Sequence, residues 1–89
     1  MRLLYCKECQ DLIKLKPAIS VCSCGETTGS ITSDNFAEFD GPAIPVAIDN
    51  KTFYKAIGER KNSGKGINFL AFVVSKKTNT FKQMINGNR

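Results

Sequence analysis

The sequence predicts a small α+β fold, and three observations lead to it. All four cysteines lie in two tight clusters, Cys6-Lys7-Glu8-Cys9 and Cys22-Ser23-Cys24. One segment, from Lys51 to about Lys61, spaces its apolar residues as a helix does. The other apolar stretches are short, rich in β-branched and aromatic residues, and bounded by Gly, Pro, Asn and Asp. The expected architecture is an N-terminal four-cysteine ribbon of antiparallel β-structure, continuous with a small β-sheet covered by one helix (about 51–61). It would form one domain over 1–89, with 1–32 as the ribbon part and 33–89 as the sheet-plus-helix part.

Two thiol pairs on two turns, separated by a segment of twelve residues that can fold back, suit a tetrahedral sulfur site. The candidate ligands are Cys6, Cys9, Cys22 and Cys24. With no histidine in the chain, an all-thiolate cage suits structural zinc best, and iron is the competing metal. Such a site is closed and holds structure without activating water. The second pair is Cys-x-Cys where a zinc ribbon usually repeats Cys-x-x-Cys, so it needs a tighter turn, and Gly25 fits a position of positive φ. Disulfides and free buried thiols are the alternatives. Disulfides need an oxidising compartment, and the segment Met1–Tyr5 does not read as a secretory signal. A cytoplasmic protein without a membrane span is expected.

A chain of 89 residues buries a modest core, which a metal supplements. The formal net charge is +5 with neutral thiols. Four coordinated thiolates and one zinc ion bring it to about +3, which permits contact with nucleic acid without demanding it.

In order, Arg2–Tyr5 reads as a strand delivering the first cysteine pair. Leu12–Lys16 follows, with Ile13 and Leu15 on one face and Lys14 and Lys16 on the other. Pro17 ends it, and Ile19–Val21 returns to the second pair as the other arm of a hairpin. Gly29–Thr32 and Phe36–Phe39 are further strand candidates, and Asp40-Gly41-Pro42 is a turn. Ala43–Ile48 is strand-like, although Pro45 confines it to an edge or a bulge. Asp49 or Asn50 caps the helix, whose Phe53, Ala56 and Ile57 form an apolar stripe facing the strand that carries Phe69 and Phe72. Ile67–Val74 is the most apolar run and reads as the central strand. Thr80–Met84 is a last short strand, and the terminal Asn86–Arg89 frays.

Cys24-Gly25, Gly41-x-Ala43-Ile44-Pro45, Asn50 before a helix with Phe53 and Ala56, Gly64-Lys65-Gly66, Phe69-x-Ala71-Phe72-Val73-Val74 and Thr80-Phe81 occur in that order. In this the chain resembles a family of small, largely uncharacterised zinc-ribbon-like proteins of bacteria and their phages. The resemblance implies a metal-binding ribbon joined to a small α+β element and supplies no activity.

Asn62-Ser63-Gly64-Lys65-Gly66 does not make a phosphate-binding loop. The order is helix, loop, strand, and glycine follows the lysine where Ser or Thr is required. Arg60, Lys61, Lys65, Lys76, Lys77 and Lys82 would form a basic patch that tracks a phosphate backbone if the loop ends converge, and Lys14 and Lys16 are a second candidate; solvated faces that serve solubility are the favoured reading of both. Asp34, Glu38, Asp40 and Asp49 are dispersed around turns and caps. The phenylalanines read as core residues in preference to a base-stacking platform. Without histidine or a thiol free of the metal, the pattern argues against an enzyme and a small-molecule substrate. The function expected is a non-enzymatic zinc-binding module for a protein partner, in the manner of an accessory or regulatory protein of bacterial or phage origin, with nucleic-acid binding as the alternative.

Overall fold

The computed structural model describes residues 1–76, 78 and 81–83 of the chain. In order they form β1 (Arg2–Cys6), β2 (Leu12–Lys14), β3 (Ser20–Val21), β4 (Thr28–Ile31), β5 (Ala37–Asp40), β6 (Ala43–Ile48), α1 (Asn50–Gly58), β7 (Ala71–Val73) and β8 (Phe81–Gln83). The strands make two four-stranded sheets, ordered β2-β1-β6-β7 and β3-β4-β5-β8. Two sheets and one helix, with sheet dominating, are consistent with the expected α+β class. Each sheet takes two strands from residues 1–32 and two from the rest. β1 pairs along its length with β6, from Arg2 opposite Ala47 to Cys6 opposite Ala43. β8 joins β5 in parallel, which makes the second sheet mixed.

The expected hairpin between the Leu12 and Ile19 segments does not form. β2 pairs with β1 and β3 pairs with β4, in different sheets. Each cysteine pair thus lies at the bend of its own hairpin. A tight turn between antiparallel strands is what brings two nearby thiols to one side, and a single hairpin offers only one such bend. Between β2 and β3 the chain crosses from one sheet to the other. The Leu15 N–H donates to Arg2 O at 2.9 Å in the first sheet, and Lys16 O accepts from Ile31 N–H at 2.9 Å in the second.

The core lies between the sheets. Leu4, Leu15, Ala37, Phe39 and Phe81 are buried together, with Ile13, Ile31, Ala43 and Val74 packed against them. The alternation read from Leu12–Lys16 holds: Ile13 and Leu15 turn inward while Lys14 and Lys16 stay exposed. Of the phenylalanines, only Phe39 and Phe81 are buried; Phe36, Phe69 and Phe72 are exposed.

β6 is an interior strand, not the edge that Pro45 suggested. Ile48 N–H bonds Met1 O at 2.8 Å, so Ile48, Val46 and Ile44 make the ladder bonds to β1, while Pro45 falls on an alternate position. The Pro45 carbonyl faces β7 and accepts from Val74 N–H at 3.0 Å. The N–H that proline lacks would point to the same side, where the β6–β7 pairing ends at Val46–Val73.

The Ile67–Val74 run is not the central strand either. Only Ala71–Val73 joins a sheet, as the exposed edge strand β7. The start of α1 takes up the backbone before it: Leu70 O accepts from Asp49 N–H at 2.9 Å, and Leu70 N–H donates to the Thr52 hydroxyl at 2.9 Å. The first bond continues the β6–β7 register by one rung, but the Asp49 carbonyl that would return it accepts from Phe53 N–H at 3.0 Å, so the pairing stops where α1 begins.

α1 ends at Gly58, short of the expected Lys61, because glycine is a poor helix residue. Asp49 caps its start, with Oδ2 accepting from Thr52 N–H at 3.0 Å. None of its residues is buried. The helix therefore does not cover a sheet. Its stripe meets the segment before β7, where the Phe53 and Phe69 rings pack edge-to-face at 4.8 Å, and Phe72 is exposed. A strand over Thr80–Met84 is seen as β8; Thr80, Met84 and the terminal residues 86–89 lie outside the described residues.

Candidate metal centre

The first knuckle begins where β1 ends. Cys6 N–H donates to Asp11 O at 2.9 Å and Gln10 N–H to Cys6 O at 2.8 Å, closing the turn that places Cys9 over Cys6. The second knuckle is built alike. Cys22 N–H donates to Thr27 O at 3.0 Å and Gly25 N–H to Cys22 O at 3.1 Å. Gly25 has φ +82°, as the short Cys-x-Cys turn required.

Two further contacts join the knuckles. Asp11 Oδ2 accepts from both the N–H and the hydroxyl of Ser23, each at 3.0 Å. The turn between β5 and β6 supports both from behind. Pro42 O accepts from Lys7 N–H at 2.8 Å, and Gly41, at φ +105°, lies so close to the second knuckle that a Cβ there would overlap the Glu26 carbonyl.

The four sulfurs of Cys6, Cys9, Cys22 and Cys24 lie within 4.8 Å of one another. Cys22 and Cys24 are 3.5 Å apart and Cys6 and Cys24 3.8 Å. A tetrahedron with sulfur–metal bonds of ~2.3 Å separates its sulfurs by about 3.8 Å. All four cysteines are free thiols, so the group can hold a metal ion. Cys6 and Cys22 are buried, Cys9 is half-buried, and Cys24 is exposed at the outer side.

The surroundings favour thiolates. Thr27, fully buried, gives its N–H to Cys22 Sγ at 3.3 Å. Its hydroxyl makes no hydrogen bond of full geometry to any atom, yet it lies beside Cys6 and is the main influence holding that thiol below its ordinary pKa. At Cys22, burial pushes the pKa up, but the Thr27 backbone and the neighbouring thiols outweigh it and bring the value to about 6. At Cys24 the Glu26 backbone pulls down, yet burial and the other three thiols win and push it to about 12. In the metal-free cluster one sulfur thus ionises easily while another resists, as expected when negative charges crowd one site. A cation removes that conflict.

The basic candidates among the described residues are exposed and occupy separate places. Arg60, Lys61 and Lys65 line one groove at the end of α1. Lys76 lines a second beside Pro45 and Phe81. Lys82, on β8, shares a third with Asp34 and Glu38. Lys14 and Lys16 project from and just beyond β2. Lys77 lies outside the described residues.

Sequence reasoning missed Thr27, Asp11 and Ser23 as supports of the cluster. An Asp beside the first pair and a Ser between the second cysteines were the only signals, and neither specifies a contact across the site. No protein-family model, curated protein or solved structure matches the chain. Among the described residues no helix is long and apolar enough to cross a membrane.

Proposed function

We propose that this chain is a zinc-held, non-enzymatic module that binds a protein partner, as an accessory or regulatory protein of a bacterium or its phage. Zinc is supported by the donor set: four sulfurs at tetrahedral spacing with no nitrogen or oxygen ligand among them. A non-enzymatic role is supported by the commitment of every thiol to that cluster in a chain without histidine. The bacterial or phage setting rests on the ordered motifs of the sequence alone.

The observation that carries the protein-binding reading is the apolar surface at the α1–β7 end. Tyr54, Ile57, Leu70, Phe72 and Val73 are each more than half exposed there, on elements tied together through Leu70. Large apolar side chains exposed in this number on two neighbouring elements mark interaction surfaces more often than they serve solubility, and aromatic and aliphatic anchors are enriched at the centre of protein interfaces. A photoreactive amino acid at Phe72 should give discrete protein adducts in cells, and one at Lys14 should not. Adducts to nucleic acid alone would overturn the reading. Elemental analysis should find one zinc per chain purified under reducing conditions; iron in its place would overturn the metal assignment.

Nucleic-acid binding is the second reading, favoured by the grouping of Arg60, Lys61 and Lys65 along one groove. With a net charge near about +3, few phosphates are neutralised, and affinity at physiological salt should be weak. Sub-micromolar binding with a steep salt slope, abolished by Lys61→Glu and Lys65→Glu, would reverse the order of the two readings.

A further inference from the structure

We propose that the groove at the C-terminal end of α1 is a docking site for an acidic peptide segment carrying one large apolar side chain. The inference deepens the protein-binding reading and rests on it. The groove encloses about 330 Å³, at the small end of ligand pockets and enough for a single anchoring side chain rather than a run of residues. Its lining brings the apolar side chains of Phe53, Ile57 and Phe69 together with the cations of Arg60, Lys61 and Lys65. No acidic side chain lines it. Three cations beside apolar side chains, with no carboxylate among the lining residues, complement an anchor flanked by Asp or Glu.

The ring geometry favours a side chain over bases. Phe53 and Phe69 meet at 68° with centroids 4.8 Å apart, which forms a corner. A nucleic-acid platform needs flat ring faces spaced for successive bases. The two rings are also held in place before any ligand arrives. Phe53 is half-buried on α1, and the segment carrying Phe69 is tied to the start of that helix through the backbone of Leu70. Little ordering entropy is then lost on binding.

The test is fluorescence anisotropy with the full, zinc-loaded chain at physiological salt. The probe is a fluorescein-labelled peptide of glutamates flanking a Leu-Phe pair. Its comparators are the same peptide with lysine for glutamate, the same peptide with Ser-Ser for Leu-Phe, and an oligothymidylate. The glutamate–Leu-Phe peptide should bind, and each comparator peptide should bind roughly tenfold more weakly or not at all. Lys61→Glu with Lys65→Glu should weaken binding roughly tenfold, as should Ile57→Asp. All three residues are exposed, so these variants should keep the far-ultraviolet spectrum of the parent. Lys14→Glu with Lys16→Glu, away from the groove, should leave binding within about twofold.

Equal binding of the glutamate and lysine peptides would overturn the proposal. So would equal losses from the Lys14/Lys16 and Lys61/Lys65 pairs, which would mean non-specific charge attraction, or tighter binding of the oligothymidylate. Failure of the peptide to bind, together with protein adducts from Phe72 that survive Lys61→Glu and Lys65→Glu, would sink this groove and leave the wider protein-binding reading standing.

Discussion

Thr27 touches the sulfur cluster from two sides, through its N–H to Cys22 and its hydroxyl beside Cys6. Groups of this kind orient metal ligands and stabilise their charged form. Thr27→Val keeps the shape and the N–H while removing the hydroxyl. Zinc affinity, read by competition with a chromophoric chelator, should fall about tenfold while the fold persists. An unchanged affinity would reduce Thr27 to a packing residue. Asp11 acts at longer range by holding Ser23. Asp11→Asn keeps an acceptor oxygen but removes the charge, so it should release zinc to the chelator more slowly than Asp11→Ala.

At the level of elements, α1 depends on its cap and one aromatic contact more than on burial. The Thr52 N–H and hydroxyl hold the Asp49 carboxyl below the usual carboxylate pKa, with Lys51 adding to the effect. Because the folded pKa lies below the unfolded one, this contribution is fully present above the ordinary Asp value and is lost as pH falls through the folded value. Amide protection factors in residues 50–58, corrected for the intrinsic pH dependence of exchange, should therefore fall on acidification below about pH 4, and less so in Asp49→Asn, whose side chain caps without a charge. Phe53 is half-buried against Phe69. Phe53→Ala should cost about 2 kcal/mol by urea denaturation, below the 3–5 typical of a fully buried ring. A loss as large as that upper range would mean that α1 is covered in solution, for instance by a second molecule.

The molecule as a whole is elongated. Its extents are 50 × 28 × 24 Å and its Cα radius of gyration is 14.7 Å, against about 12 Å for a compact chain of this length. Among the described residues the buried apolar set is small, and it includes Cys6 and Cys22 beside Leu3, Leu4, Leu15, Ala37, Phe39 and Phe81. Two of the four candidate metal ligands therefore form part of the buried set. A core this limited gives little margin without the staple. Stripping zinc under reducing conditions should abolish cooperative thermal unfolding and raise the radius of gyration measured by small-angle scattering. Re-addition of zinc should restore both. A chelated protein that still unfolds cooperatively at the holo temperature would show that the two sheets stand without the metal.

The sequence by itself determined which four cysteines gather, the inward face of Ile13 and Leu15, the Asp40-Gly41-Pro42 turn and the start of α1. Each is a local matter: spacing within a turn, alternation along a strand, or a cap within a few residues of its partner. Tertiary structure decided where the apolar run of residues 67–74 went and whether α1 covered a sheet. Hydrophobicity favours burial without naming a partner, and the backbone of Leu70 was already engaged by the helix start. Tertiary structure also decided that Pro45 could sit inside a sheet, since that depends on which side of β6 each neighbour bonds. The supports of the metal cluster were hidden for the same reason. Thr27, Asp11 and Gly41 act across knuckles that only the pairing of β1 with β6, and of β4 with β5, brings together.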